Sequence, residues 1–409
     1  MIADRRREAS DDGARSERAL LRLLAGVQFT LLLDFMVLMP LGPEVMQEMR
    51  ISAATFGGLV SSYTLASAAC GVTGLFWLGR FERKRTLLAL YAGFVLATLG
   101  GAVAISVVVL LASRVLAGAC AGLLWAIVMD LIVDVVPAER RGSAMGLVMS
   151  AYAVAAVAGV PLGLWLSSWQ GFRAPLLAIA ALSLALLARA HRLVPSHRAD
   201  ASADEAPRQP LHQLWRDRGL ACGWLLTFTV VSAGFLIIPY LGTHLVGNLA
   251  VSSEQLGLVY LCGGCVTFVT SRWVGAWVDK AGPALVLAVL LLASAAAHLL
   301  VTQLTAVPLW AAMASFTLFM TLTSGRMIPT MALLTSRVPA PLRARYLAVN
   351  TAVSDGASGA AAWAAASLLT TTPSGQLLGF GRVGLLAVGA SLLALAILAI
   401  MQRAHSEAA

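Results

Sequence analysis

The ionisable side chains inside the long apolar stretches of this sequence include Asp34, Arg114, Arg326 and Asp355. Charges within membrane-spanning segments are unfavourable and generally mark substrate or ion pathways. Burial favours the neutral form of a carboxyl group, whereas a nearby arginine favours the charged form. An acid in this setting can take up a proton on one side of a membrane and release it on the other. Asp34 is therefore predicted to be coupled to protons or to a substrate.

Depth estimates place three of these charges at one level. Asp34 lies roughly 16 Å into its apolar run at 1.5 Å per helical residue, near the middle of a roughly 30 Å hydrocarbon core. Arg326 lies roughly 15 Å from the inner end of its run, and Asp355 lies at a similar depth. Arg114 lies roughly 33 Å from the inner end of its run. It is predicted either to take part in coupling or to mark the outer interface.

The composition indicates a membrane protein. The chain of 409 residues is 59% hydrophobic and 12% charged, whereas soluble domains carry roughly 25% charged residues. This excludes a soluble enzyme with a polar shell, a disordered chain and a disulfide scaffold. The net charge of +9 does not indicate nucleic acid, because the arginines are dispersed in short gaps between apolar runs instead of clustering on one face.

The apolar runs divide into two sets of six, and each run is long enough for a membrane helix of roughly 20 residues. The predicted runs are 23–41, 53–78, 86–105, 107–136, 143–167, 174–190, 219–241, 255–278, 284–301, 308–335, 345–369 and 383–402. The predicted domains are an N-terminal tail (1–22), a six-helix bundle (23–190), a linker (191–218), a second six-helix bundle (219–402) and a C-terminal tail (403–409).

The distribution of basic residues predicts the orientation. Most of the 29 lysines and arginines fall in the tails and in the loops on the same side, whereas only Arg50, Arg173 and Arg382 fall in the opposite loops. Because positively charged loops remain in the cytoplasm, both tails and the linker are predicted to be cytoplasmic.

One loop motif carries a family resemblance. The segment Gly275-Ala-Trp-Val-Asp279-Lys280-Ala-Gly282 matches the pattern Gly, three residues, Asp, Arg or Lys, any residue, Gly. The chain resembles the major facilitator superfamily along nearly its whole length. The resemblance implies an all-α membrane protein with twelve transmembrane helices in two pseudo-symmetric six-helix bundles. It also implies that runs 1, 4, 7 and 10 line a central cavity, so that Asp34 and Arg326 face each other across it. The alternative is a fixed Asp34–Arg326 pair that holds the halves together.

The first-half copy of this loop is degenerate, because Gly79 replaces the expected acid, but it keeps the basic residues Arg80 and Arg83. In the family, such a network latches the outward-facing state. Asp134 is the candidate partner of Arg80 or Arg83, and Asp130 is predicted to belong to the same gate. The alternative is a simple positively charged anchor on the cytoplasmic side.

Two further segments resemble the arabinose-efflux-permease and drug:proton antiporter branch. They are Arg114-Val-Leu-Ala-Gly118 and Gly159-Val-Pro161-Leu-Gly163. Close packing through small residues accounts for them equally well. Seven other residues are predicted to line the cavity: Gln28, Tyr63, Trp125, Phe235, Tyr240, Met327 and Asn350.

The predicted function is secondary transport across a bacterial-type inner membrane. A small organic compound such as a drug, sugar or metabolite is exported in exchange for protons by alternating access. The alternatives are a facilitator or proton symporter that imports a metabolite, and a membrane sensor or assembly protein that does not transport. The expected partners are the substrate, protons and the lipid bilayer, with no nucleic acid, and the expected state is a monomer. No enzyme activity, metal or cofactor is expected. The sequence contains no nucleotide-binding loop of the Gly-x-x-x-x-Gly-Lys type, so ATP is not the expected energy source.

Overall fold

The computed structural model describes residues 2–137, 140–195, 218–339, 342–372 and 374–408. Helices form nearly all of this part of the chain. Ten of its helical segments are long and apolar enough to cross a membrane. Each predicted run coincides with one of these ten segments or with one of two further helical stretches, at 309–337 and 343–366.

Within the described residues, the first half of the chain forms eight α-helices. They are α1 (Ile2–Leu38), α2 (Gly42–Met49), α3 (Ala53–Trp77), α4 (Arg83–Ala102), α5 (Val107–Val135), α6 (Arg141–Val154), α7 (Val160–Gln170) and α8 (Arg173–Leu193). A 3-10 turn (Leu78–Arg80) follows α3, and a π-helical segment (Ala155–Gly159) joins α6 to α7. The predicted N-terminal tail at 1–22 is therefore largely the beginning of α1, and α2 occupies a stretch for which no helix was predicted.

The second half contains another eight α-helices within the described residues. They are α9 (Arg218–Phe235), α10 (Ile238–Gly247), α11 (Ser253–Ala281), α12 (Pro283–Gln303), α13 (Leu309–Gly325), α14 (Met327–Arg337), α15 (Arg343–Ala366) and α16 (Phe380–Ala408). A short antiparallel pair, β1 (Thr370–Thr371) and β2 (Leu377–Leu378), lies between α15 and α16, with Thr370 opposite Leu378. Most of the predicted linker, residues 196–217, lies outside the described residues.

Short-range signals in the sequence explain several helix ends. Ser252 and Gln255 form a capping box at the beginning of α11, which satisfies backbone donors that have no partner within the helix. Gly282 ends α11 with a φ of +81°, a conformation that glycine adopts readily. Pro283 then occupies the first turn of α12, where its missing N–H is not needed.

Three membrane spans are interrupted, and each interruption lies close to a proline. Pro161 follows the π-helical segment, Pro239 lies in the first turn of α10, and Pro329 lies in the first turn of α14. Proline cannot donate the backbone hydrogen bond of a continuous helix, so helices bend or break at such positions. The span predicted at 308–335 is therefore two helices that meet at Arg326.

Successive membrane spans alternate in direction, so one face of the molecule carries the chain termini and the other carries α2. We call these the termini face and the α2 face. At the α2 face, residues of both halves, such as Phe56 and Tyr240, share one continuous buried core. Toward the termini face, the buried cores are separate, and each one comes from a single half. The halves are thus closed against each other at the α2 face and separated toward the termini face.

Candidate functional site

Asp34 and Arg114 form a buried ion pair. Nη1 of Arg114 donates a hydrogen bond to Oδ2 of Asp34 at 2.8 Å, and the two side chains are 1% and 0% exposed. Oδ1 of Asp34, and Nε and Nη2 of Arg114, have no hydrogen-bond partner in the described part of the chain. Arginine and carboxylate can form two parallel hydrogen bonds, but this pair forms one. Asp34 therefore keeps a free oxygen that can accept a proton, and Arg114 keeps free N–H donors for a water molecule or a polar group.

Close packing of α5 on α3 positions Arg114. A Cβ atom on Gly118 would lie 2.0 Å from the carbonyl oxygen of Tyr63, and one on Gly122 would lie 2.3 Å from that of Ser67. Only glycine permits such an approach of one helix backbone to another. Because Gly118 is one turn from Arg114, this contact holds the guanidinium at a fixed position beside α1 and α3.

The predicted antiporter-like segment packs against the other side of Asp34. A Cβ atom on Gly159 would lie 2.8 Å from Cδ1 of Leu33, and the Cβ atom of any larger residue at Gly163 would lie 2.5 Å from Cγ2 of Val37. These two contacts lie on α1 on either side of Asp34. The glycine spacing therefore positions the acid, while Pro161 begins α7.

Three aromatic rings extend from this site across the contact between the halves. Phe35 stacks on Tyr63 with ring centroids 5.3 Å apart and on Phe235 at 6.0 Å. Phe235 belongs to the second half, whereas the other two rings belong to the first. A small cavity of about 10 Å³ lies beside the ion pair. It has room for roughly one water molecule. Its lining consists of Asp34, Phe35, Leu38, Leu59, Val60, Tyr63 and Arg114.

Arg326 lies inside the second half and not beside Asp34. Its Nη1 donates to the hydroxyls of Ser294 at 3.2 Å and Ser391 at 3.5 Å. The prediction that Asp34 and Arg326 face each other, as cavity residues or as a fixed pair, is therefore wrong in this structure. A similar depth did not predict the partner, because depth does not determine which neighbouring helix a side chain contacts. The residue that lies beside Asp34 is Arg114 on α5.

Asp355 lies at the contact between the two halves. Oγ of Ser67 on α3 donates to Oδ2 of Asp355 on α15 at 2.6 Å. The two helices approach closely at this level, since a Cβ atom on Gly356 would lie 3.8 Å from that of Ala68. The half-buried Asp355 carboxylate thus forms a direct hydrogen bond from one half of the molecule to the other.

The first-half gating residues lie at the termini face. Arg83, at the beginning of α4, forms an ion pair with Asp134 near the end of α5. Arg80 ends the 3-10 turn, and Asp130 is exposed on α5. The basic residue that contacts Asp134 is therefore Arg83, within one half of the molecule.

The second-half motif is open. Asp279 and Lys280 are exposed near the end of α11, and Asp279 forms no ion pair with another described residue. Nothing lies within 4 Å of a Cβ atom placed on Gly275 or Gly282. The open motif agrees with the separation of the halves toward the termini face.

The structure brings two of the seven predicted cavity residues, Tyr63 and Phe235, to the Asp34 site. Tyr240 instead belongs to the closed α2 face, where its hydroxyl donates to a backbone carbonyl of α15 at 2.9 Å. Asn350 accepts a hydrogen bond from a hydroxyl of α9 at 2.7 Å within the second half. The other three lie elsewhere: Gln28 is buried on α1, Trp125 is half-buried on α5, and Met327 packs within the second half.

Two residues of the site, Phe35 and Ser67, were not predicted. Phe35 follows Asp34 directly, and Ser67 follows Tyr63 by one helical turn on α3. The spacing of Ser67 from Tyr63 is a signal that could have identified it, because residues four apart share one helix face.

Hydrogen bonds and an ion pair fix α2 to the first half. The hydroxyl of Ser167 on α7 donates to Glu44, and Arg173 on α8 pairs with Glu48. Burial raises the pKa of Glu44, and the hydrogen bond from Ser167 opposes that shift. These contacts hold α2 over the closed α2 face, where α2 also packs against α10.

Comparison with known families gives one broad match. The model of the family described as Major Facilitator Superfamily matches residues 24–362. A chloramphenicol resistance protein of Streptomyces lividans is 30% identical over 251 residues, which are 60% of this chain and 63% of that protein. The match therefore spans less than two thirds of the relative's length.

Solved transporter structures share the fold. A bacterial homologue of the human lysosomal transporter Spinster, in an inward-facing and unoccupied conformation, aligns with a TM-score of 0.73 and 14% identity, covering 95% of this chain and 97% of that one. A D-xylose-proton symporter aligns with a TM-score of 0.70 and 19% identity, covering 92% of this chain and 96% of that one. At these identities the similarity concerns the fold alone.

Proposed function

Because this chain belongs to the major facilitator superfamily and is a multi-pass membrane transporter, we propose that it exports a small organic compound in exchange for protons. The observation that carries the proposal is the buried Asp34–Arg114 pair beside a small cavity of the first half, whose lining residue Phe35 stacks on Phe235 of the second half. A titratable group at such a position is accessible in turn to each side of the membrane as the halves rock about it.

Proton exchange requires one atom of the site that takes up and releases a proton. Oδ1 of Asp34 is free of hydrogen bonds in the described structure, so it is the oxygen that receives the proton. Protonation removes the negative charge that Arg114 contacts, which weakens their electrostatic attraction. Loss of the proton restores the ion pair. Exchange requires that cargo bound beside this pair favour the deprotonated form of Asp34, so that cargo and proton bind in turn.

The orientation follows from the basic loops. With the positively charged loops in the cytoplasm, the termini face is the cytoplasmic face, and both termini lie inside the cell. The separated halves then open toward the cytoplasm, the direction from which an exporter loads its cargo. The bacterial relative favours an inner (plasma) membrane, and one chain contains the whole site, as a monomeric transporter requires.

The cargo proposed is a drug-like organic compound. The support is the relative described as a chloramphenicol resistance protein, a function that efflux explains. The glycine packing around Asp34 and Arg114 adds support from the residues, because it maintains the charged pair in the part of the chain that resembles antiporters.

Proteoliposomes with an internal pH dye test the proposal. A panel of lipophilic cations, neutral drugs including chloramphenicol, sugars and organic acids is added to wild-type protein, to Asp34→Asn and to Glu254→Gln. Glu254 is an exposed acid at the beginning of α11 and provides the matched control. We expect proton movement with at least one compound, unchanged in Glu254→Gln and lost in Asp34→Asn, because an amide cannot carry the proton.

Two other results would overturn the proposal. Compound flux without proton movement, equal in wild type and Asp34→Asn, would indicate a facilitator. Compound binding without any flux would indicate a sensor.

A further inference from the structure

We propose that Asp355 binds a positively charged group of the cargo, such as a protonated amine or a quaternary cation. The inference rests on the proposed transport function and adds a charge preference at the contact between the halves, where Asp355 accepts a hydrogen bond from Ser67. Its starting point is that Asp355 is a carboxylate within the membrane that forms no ion pair with any described lysine or arginine. Acids at this depth normally pair with a cation or line a transport pathway.

The arginines within the described membrane spans form no ion pair with Asp355. Arg272 is exposed on α11 and lies over the ring of Phe268. Arg114 is occupied by Asp34. Arg326 donates to two serine hydroxyls inside the second half. Among the residues that the structure describes, the hydroxyl of Ser67 is the neutral donor to Asp355. A charge that the protein does not compensate is available to a cation from outside the chain.

An aromatic ring lies on the same stretch of α3 as the hydroxyl that donates to this carboxylate. Ser67, which holds Oδ2 of Asp355, is one helical turn from Tyr63 on α3. Tyr63 stacks on Phe35, and Phe35 stacks on Phe235. A carboxylate beside stacked aromatic rings is the chemistry that recognises organic cations, because ring faces attract cations and apolar walls accept the rest of the molecule.

Binding at this position also reaches the contact between the halves. The hydrogen bond from Ser67 to Asp355 joins α3 to α15. A cationic group that approaches the carboxylate competes with this hydroxyl and weakens the bond between the halves. Cargo binding at Oδ2 of Asp355 is therefore linked to loss of the hydrogen bond between the two halves.

The test compares two probes of similar aromatic bulk and different charge. Binding of tetraphenylphosphonium, a cation, and of triphenylphosphine oxide, a neutral molecule, is measured by equilibrium dialysis against the purified full chain. The variants are Asp355→Asn, Asp355→Glu and Ser67→Ala. We expect wild type to prefer the cation, and Asp355→Asn to weaken cation binding by at least about tenfold, as loss of a buried charge partner does. Binding of the oxide should change by less than about twofold, since a neutral ligand gains little from a carboxylate.

The remaining variants separate charge from packing. Asp355→Glu keeps the charge and is expected to retain the preference for the cation. Ser67→Ala removes only the hydroxyl and is expected to retain it as well. Equal binding of the two probes by wild type would overturn the inference, as would an equal loss of both probes in Asp355→Asn. Because the readout is binding and not proton movement, failure of the Asp34 proposal leaves this result interpretable, and the converse also holds.

Discussion

Replacing Gly57 with valine is expected to prevent closure of the α2 face and to reduce transport by at least about tenfold, because a packed interface does not absorb a clash of this size. A Cβ atom at this position would lie 2.0 Å from Oη of Tyr240 and 2.6 Å from Cβ of Ala366. Both contacts come from the second half. Alternating access requires the halves to meet at this face, so the valine variant should remain open toward it.

Gly58 provides the matched control. A Cβ atom on Gly58 has nothing within 4 Å, so Gly58→Val should transport like wild type. Distances between nitroxide labels on Ala54→Cys and Ser253→Cys, in a background without the native cysteines, report the opening of the α2 face. We expect the distance to increase in Gly57→Val and not in Gly58→Val. Equal distances and equal transport in the two variants would show that the Gly57 contact does not control closure.

Removing Arg114 alone is expected to destabilise the protein more than removing both members of the ion pair. The change Arg114→Gln leaves Asp34 buried without its cationic partner, and breaking a buried pair in this way costs about 3–5 kcal/mol in soluble proteins. The double variant Asp34→Asn with Arg114→Gln removes both charges and should recover a large part of that loss. Thermal unfolding of the two single variants and the double variant in detergent measures this coupling.

The Arg173–Glu48 pair at the α2 face provides the comparison. Its side chains are 36% and 38% exposed, and exposed pairs contribute about 0–1 kcal/mol. A double-mutant cycle with Arg173→Gln and Glu48→Gln should therefore show a weak coupling energy for unfolding. If the coupling energy of Asp34 and Arg114 is as weak, so that the effects of the two substitutions on stability are additive, the buried pair does not act as a unit.

The amino-acid sequence identifies the spans well because each depends on a local property. An apolar run of sufficient length needs a membrane wherever it lies in the chain, and glycine, proline and basic residues mark the gaps between runs. The helix α2 and the strands β1 and β2 were not predicted, because they are short and depend on contacts with distant helices. Pro43, in the first turn of α2, is the local signal that could have indicated that helix.

Pairing of charges depends on three-dimensional packing and could not be predicted from depth along each run. The sequence marks Asp34 and Arg114 as charges in apolar surroundings, but it does not show that glycines at 118 and 122 draw α5 against α3. It also does not show where α1 ends. The family resemblance supplied the cavity helices, and with them the wrong partner, Arg326, for Asp34.

The measurement that tests the account most directly is proton release on cargo binding. Purified protein in weakly buffered detergent solution receives the compound that moves protons in the vesicle panel, and the change in pH is recorded for wild type and Asp34→Asn. The account predicts release of about one proton per bound cargo from wild type, by linkage between the two ligands, and none from Asp34→Asn. Equal release from both proteins, or cargo binding by wild type without proton release, would contradict the claim that Asp34 exchanges a proton for cargo.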